Sequence, residues 1–224
     1  MGGKRRAHLT TLLCVVSLIL LPVCSASTLS IPTESTAMNA DAAAIPVTIH
    51  NVTGGVSGLY FKLFYDPSVL EAHVITKSDL NFTTYSNVNA VHGIISYAVI
   101  NYPDPVYSNE ITTAYIQFKQ IGGQSRKTTL GLQVISVLNE TYLPIYPTVQ
   151  NGTLLFLLNG DINNDGRVNF NDAMYLYRHV RTPNTLPIEY PEVADVDGNN
   201  VINQRDVTFL IYHLFGVKGY EVLK

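Results

Sequence analysis

Two stretches of this chain repeat one another. GDINNDGRVNFNDAMYLYRHV spans residues 160–180, and ADVDGNNVINQRDVTFLIYHLFG spans 194–216. Asp161 matches Asp195, Asn169 matches Asn203, Asp172 matches Asp206 and His179 matches His213, a constant offset of 34 residues. Each copy crowds carboxylates ahead of an apolar run at i, i+3, i+4, i+7 spacing. The runs are Ala173, Leu176, Tyr177 and Val180, then Val207, Leu210, Ile211 and Leu214. Like charges this close repel, so something must neutralise them. Tetratricopeptide arrays share the helical period, but their turns have no use for clustered carboxylates, and that architecture is set aside.

Counted from Asp161, oxygen-bearing side chains fall at positions 1 (Asp161), 3 (Asn163), 5 (Asp165), 9 (Asn169) and 12 (Asp172), with Gly166 at position 6. The second loop offers Asp195, Asp197, Asn199, Asn203 and Asp206 at the same positions. This is the spacing of a twelve-residue EF-hand loop, whose position 7 gives a backbone carbonyl, here from Arg167 and Val201. A large hard cation wants six to eight oxygens, and magnesium demands a tighter octahedron, so two Ca2+ ions are expected in loops 161–172 and 195–206. The competing reading is a pair of Asx-rich capping loops without metal. Two matching loops, each ahead of a helical stripe, favour the ion. Position 12 is Asp in both copies where the longer Glu is usual, so each helix must approach its ion closely. Position 6 of the second loop is Asn200, the expected weak point of that site.

Before Asn159 the period is different. AIPVTIHNV, GLYFKLFY, GIISYAVINY, ITTAYIQFKQI, TLGLQVISVL and GTLLFLL are rich in Val, Ile, Tyr, Phe and Thr, with Gly, Pro and Asn clusters between them. In LYFKLFYDP, Phe61, Leu63 and Tyr65 point one way and Tyr60, Lys62 and Phe64 the other. The pattern predicts an all-β antiparallel sandwich over residues 27–158, followed by a small helical domain over 159–217 and a tail over 218–224. Residues 1–26 read as a signal peptide. Lys4, Arg5 and Arg6 precede the apolar LTTLLCVVSLILLPV, and cleavage is expected after Ala26. Cys14 and Cys24 both lie in this segment, so the mature chain has no thiol for disulfides or zinc. Its removal takes three cations and no acid, moving the formal charge from −3 to −6 and disfavouring nucleic acid as a partner. Sequons begin at Asn51, Asn81, Asn139 and Asn151. No second apolar run is long enough to span a bilayer.

No helix precedes the first loop, since NGTLLFLLNG reads as strand and turn. Each repeat is therefore a calcium loop plus the following helix only. That half EF-hand duplication resembles the dockerin module, over residues 159 to about 217. The resemblance implies partner contacts at loop positions 10, 11, 17 and 18. These are Phe170, Asn171, Tyr177 and Arg178 in one copy, and Gln204, Arg205, Ile211 and Tyr212 in the other. The copies differ, which puts interchangeable binding orientations in doubt. Tyr177 and Ile211 also fit the core stripe. His179 and His213 are expected near the helix ends, facing solvent. The sandwich is similar to a cohesin domain, the receptor for dockerins, through its IPVT strand and its G-x-x-F-x-L-x-YDPSVLE strand and turn. That likeness implies a nine-stranded jelly roll that binds a dockerin through one flat sheet face.

The expected function is a secreted, non-catalytic adaptor with two partners. A cohesin-bearing protein would take its dockerin, and a dockerin-bearing protein would take its cohesin-like domain. The connection Leu158–Asn159 is too short for self-docking within one chain, so matching modules would form head-to-tail filaments. The alternative is a dockerin-bearing carbohydrate-binding or glycoside-hydrolase component of polysaccharide breakdown. Against it, the sandwich has no recognised acid motif and the chain has no Trp for sugar stacking, although 14 tyrosines offer other rings. A distant carboxylate pair such as Asp66 and Glu110 stays open at this stage, as does polysaccharide as a ligand. Any attachment to a cell surface would be indirect, through a partner.

Overall fold

The computed structural model describes residues 26–38, 42–75, 83–121, 126–183 and 185–224. The expected signal peptide, apart from Ala26, and the sequon at Asn81 lie outside the described residues. The first six strands are β1 (Thr28–Ser30), β2 (Glu34–Met38), β3 (Ala42–His50), β4 (Val56–Phe64), β5 (Leu70–Ile75) and β6 (Thr83–Asn89). Next come β7 (Ile94–Ile100), β8 (Glu110–Gln120), β9 (Arg126–Asn139), β10 (Pro144–Ile145), β11 (Thr148–Gln150) and β12 (Gly152–Leu157). Two helices follow, α1 (Phe170–Arg181) and α2 (Gln204–Leu214).

One sheet runs β11-β1-β3-β8-β5 and the other β2-β12-β9-β4-β7-β6, with β10 on the flank of β9. The expected sandwich is present, with two corrections. The implied nine strands become twelve among the described residues, because the first and last are each cut in two and β10 is an added two-residue strand. Pro32, with no N–H to give a ladder, lies where the first segment leaves one sheet for the other. The pairing is also not wholly antiparallel, since β1 runs parallel to β11 and β12 parallel to β2. These pairings join the chain's first and last extended segments at the sandwich edges.

The period-2 reading of β4 is confirmed. Phe61, Leu63 and, just beyond the strand, Tyr65 are buried, while Tyr60, Lys62 and Phe64 stand on the outer face. Phe61 meets Tyr97 of β7 with ring centroids 5.4 Å apart, and Tyr65 meets Phe118 of β8 edge-on at 5.6 Å. β6, TTYSNVN, has no apolar alternation because it is an edge strand, and its Val88 alone among large aliphatics packs on the core.

The same alternation joins the two modules. Along β12, Leu154 and Phe156 enter the sandwich core. Leu155 and Leu157 face the other way and are buried with Ile162, Ala173, Leu176, Val193, Val207 and Leu210 of the helical module. Burying each leucine contributes about 1.5–3 kcal/mol. Nearby, Glu34 foremost, with Tyr190 and Glu189 of the helical module adding to it, holds the Lys127 ammonium above its usual range. The two modules thus share a strand, one facing each way.

Leu155→Ala is expected to cost roughly 2–5 kcal/mol and to raise amide hydrogen exchange in α1 and α2 while β4 and β7 stay protected. Leu154→Ala should do the reverse. Equal loss in both modules from either variant would show that the two cores are not separate.

Candidate functional site

Both loops close by the same pattern of hydrogen bonds. In the first, the N–H groups of Asp165 and Gly166 donate to Asp161 Oδ1 and Oδ2 at 3.0 and 2.9 Å. In the second, Asn199 and Asn200 donate to Asp195 Oδ1 and Oδ2 at 3.0 and 2.6 Å. Position 12 ties each loop to its helix. Asp172 accepts from the N–H groups of Asn163 and Asn169, and Asp206 from those of Asp197 and Asn203. Asn169 and Asn203 are the helix N-caps, their side-chain oxygens accepting from the N–H of Asn171 and Arg205 at 2.8 and 2.7 Å. Each forms a reciprocal capping box with the Asp three residues on. Their side-chain oxygens therefore already serve the helix ends.

The backbone explains the glycine and asparagine placement. Asn164 and Gly166 have φ of 56° and 86°, and Gly198 and Asn200 have 71° and 63°. Positions 4 and 6 of both loops are left-handed, and each loop fills one with Gly and the other with Asn. Sequence reading noted position 6 only. The signal for position 4 was Gly198 in DGN. Asn200→Val puts a β-branched side chain into this region at a cost of about 1–2 kcal/mol. Roughly tenfold weaker calcium binding at the second loop is expected, read by calorimetric titration, with the first loop unaffected.

Burial sets the charge requirement. Asp172 and Asp206 are fully buried. Loss of solvation, the largest cause, pushes both carboxyls above their usual range, with neighbouring acids adding and backbone donors opposing. The ligand oxygens of Asp195, Asp197 and Asp206 lie within 4.8 Å of one another. Buried, crowded carboxylates of this kind fit a divalent cation. Arg205 Nε lies 2.8 Å from Asp197 Oδ2, an ion pair outside hydrogen-bond geometry. Arg205, read from sequence as a partner contact, is thus also tied to its own loop.

The helices present two faces. Ala173, Leu176, Val207 and Leu210 are buried, and Tyr177, Val180, Ile211 and Leu214 are half-buried against them. Phe170, Asn171, Arg178, Gln204, Arg205 and Tyr212 are exposed. His179 and His213 do not face solvent as expected. Each is part-buried, with Nδ1 at 2.7 Å from the Leu186 carbonyl oxygen and 2.8 Å from that of Tyr220. The repeat therefore extends past the helices into the segments that return to the loops. Residues 218–224 are part of this packing. Tyr220 lies edge-on to Phe209 and Tyr212, Lys224 N–H donates to the Val196 carbonyl, and Leu223 joins the helical core beside Gly160.

A second surface lies on the sandwich. The outer face of β9-β4-β7-β6 presents Tyr60, Lys62, Phe64, Tyr85, Ile100 and Gln133. A shallow apolar depression of about 180 Å³ runs between Gly58, Tyr60, Ala98, Ile100 and Leu138. Asp66 and Glu110 do not form a catalytic pair. Asp66 precedes β5 beside the Gln120 end of β8, and Glu110 begins β8, so they lie at opposite ends of an 11-residue strand. That is about 30 Å at ~3.3 Å per residue, well beyond the ~5–9.5 Å of glycosidase carboxylates. Among the described residues no helix is long and apolar enough to cross a membrane.

Residues 159–215 match the family model of the dockerin type I domain. The sandwich has the cohesin fold. The OlpA cohesin–dockerin complex from Clostridium thermocellum matches with TM-score 0.53 and 12% identity, over 59% of this chain and 100% of that one. The cohesin CaCohA2 from Clostridium acetobutylicum matches with TM-score 0.51 and 21% identity, over 59% and 91%. A non-cellulosomal cohesin from the archaeon Archaeoglobus fulgidus gives 0.50 and 18%, over 59% and 92%. No match to the chain was found among curated proteins. Dockerins are calcium-binding modules, and cohesins and dockerins are non-catalytic scaffolding domains.

Proposed function

We propose that this chain is a secreted, calcium-dependent adaptor that links two other proteins. Its dockerin enters the cohesin of one partner, and the outer face of β9-β4-β7-β6 receives the dockerin of another. The observation that carries this reading is the direct union of a dockerin to a cohesin-fold sandwich whose four-strand outer face stays open. Two ions are assigned to the dockerin. Asp161, Asn163, Asp165, the Arg167 carbonyl and Asp172 hold one. Asp195, Asp197, Asn199, the Val201 carbonyl and Asp206 hold the other. Asn169 and Asn203 act through a bridging water, as position 9 often does, because their oxygens cap the helices. The ions supply the positive charge that buried Asp172 and Asp206 require. Phe170, Asn171, Tyr177, Arg178, Gln204, Arg205, Ile211 and Tyr212 are assigned to the partner contact, Tyr177 and Ile211 through the exposed part of their side chains. We place the protein outside the cell, in assemblies that degrade polysaccharide or decorate a surface.

The test is a binding assay of the full chain against foreign cohesins, foreign dockerins and insoluble polysaccharide, with calcium and with chelator. Capture of both module types in calcium, loss of the cohesin arm in chelator, and no retention on polysaccharide are expected. Chelator should also speed amide exchange in α1 and α2 and leave β4, β7 and β9 protected. Retention on polysaccharide with neither module captured would replace this reading with glycan binding.

A further inference from the structure

The two recognition faces of this chain carry charge of the same sign. Along α1 the exposed Phe170, Met174, Arg178 and Arg181 follow i, i+4, i+8, i+11 spacing and form one stripe. The equivalent stripe along α2 and its C-cap is Gln204, Thr208, Tyr212 and Phe215, which is uncharged. The only acids in either helix are the buried Asp172 and Asp206. Basic residues in a last helical turn also suit the macrodipole. Exposed Phe170 and Met174 on the same line, 54% and 38% accessible, are what mark the stripe as a contact surface. Arg181 is held in place, donating to Tyr177 Oη at 3.0 Å with its guanidinium 5.5 Å from the ring centroid.

The four strands of the receiving face offer this stripe no acid. Strands β4, β6, β7 and β9 contain no Asp or Glu, and their charged residues are Lys62, Arg126 and Lys127. Lys127 is paired with Glu34 at 3.2 Å, and Lys62 stands amid Tyr60, Phe64, Ser96 and Gln133. Docking one copy on another would bury Arg178 and Arg181 against four strands that have no carboxylate of their own to accept them, beside a third cation. Burying unpaired charge is costly, and like charges across an interface exclude wrong partners.

We infer that the α1 stripe selects a cohesin-type sheet that bears carboxylates, and that this chain therefore does not pair with its own copies. It is a heterotypic connector and not a filament subunit. This inference rests on the proposed docking function and adds the chemistry of the partner. The test uses the full chain in calcium with a set of cohesin domains that carry three or more carboxylates on the four equivalent strands. The same domains with those carboxylates changed to amides form the second set. Binding to the acidic set is expected to exceed binding to the amide set at least tenfold. It should weaken by a similar factor in Arg178→Ala/Arg181→Ala and fall as salt rises. Sedimentation of the chain alone should show a monomer up to high micromolar concentration. Equal binding to both sets overturns the charge selection and leaves the docking function standing. Binding to neither set overturns both. Calcium-dependent polymers of the chain alone, dispersed by Lys62→Glu or by the arginine variant, overturn the exclusion of self.

Discussion

Carboxylates removed from water against a helical core are the constraint on which the C-terminal module depends. Asp172 and Asp206 each satisfy their oxygens with two main-chain donors, and those donors come from the loop and from the cap of the same helix. One side chain therefore fixes the loop, starts the helix and offers charge to an ion. Burial makes that arrangement unfavourable without a cation. It also explains why the loop, the cap and the apolar stripe travel together as one repeated unit. A module of this size has a marginal core, and here it adds Leu155 and Leu157 of the sandwich to its own.

That borrowing shapes how the two modules can act together. A flexible linker would let a dockerin and a cohesin search independently. In this chain the last strand of one module is a wall of the other, and Gly160 N–H donates to the Val193 carbonyl directly after it. The helices and the four-strand outer face are consequently held in a fixed relation, and two captured partners would be too. Rigid spacing limits the geometry of any assembly and lowers the entropy lost on forming it.

Much was legible in the chain itself. The offset of the repeats and the alternate oxygens marked the two matching loops, and the i, i+3, i+4, i+7 stripe named the buried Ala173, Leu176, Val207 and Leu210. Alternation in LYFKLFY gave the inner and outer faces of β4. Other features carried no local signal. β6 has the composition of a loop, and only its pairing with β7 makes it a strand. His179 and His213 looked like exposed residues near helix ends, because carbonyls seven residues further on are visible only once the chain has turned back.

By itself the sequence determined which residues could ligate, which could cap and which faces were apolar. Those properties arise from side-chain chemistry and from periods of 2 and 3.6 residues, both local to the chain. Tertiary structure alone decided that Asn169 and Asn203 commit their oxygens to helix ends, that Arg205 pairs with Asp197, and that Asp66 and Glu110 sit at opposite ends of a strand. It alone placed Leu155 and Leu157 in a second core. Each of these depends on which groups meet across a turn, a sheet or a module boundary, and distance along the chain does not encode distance in space.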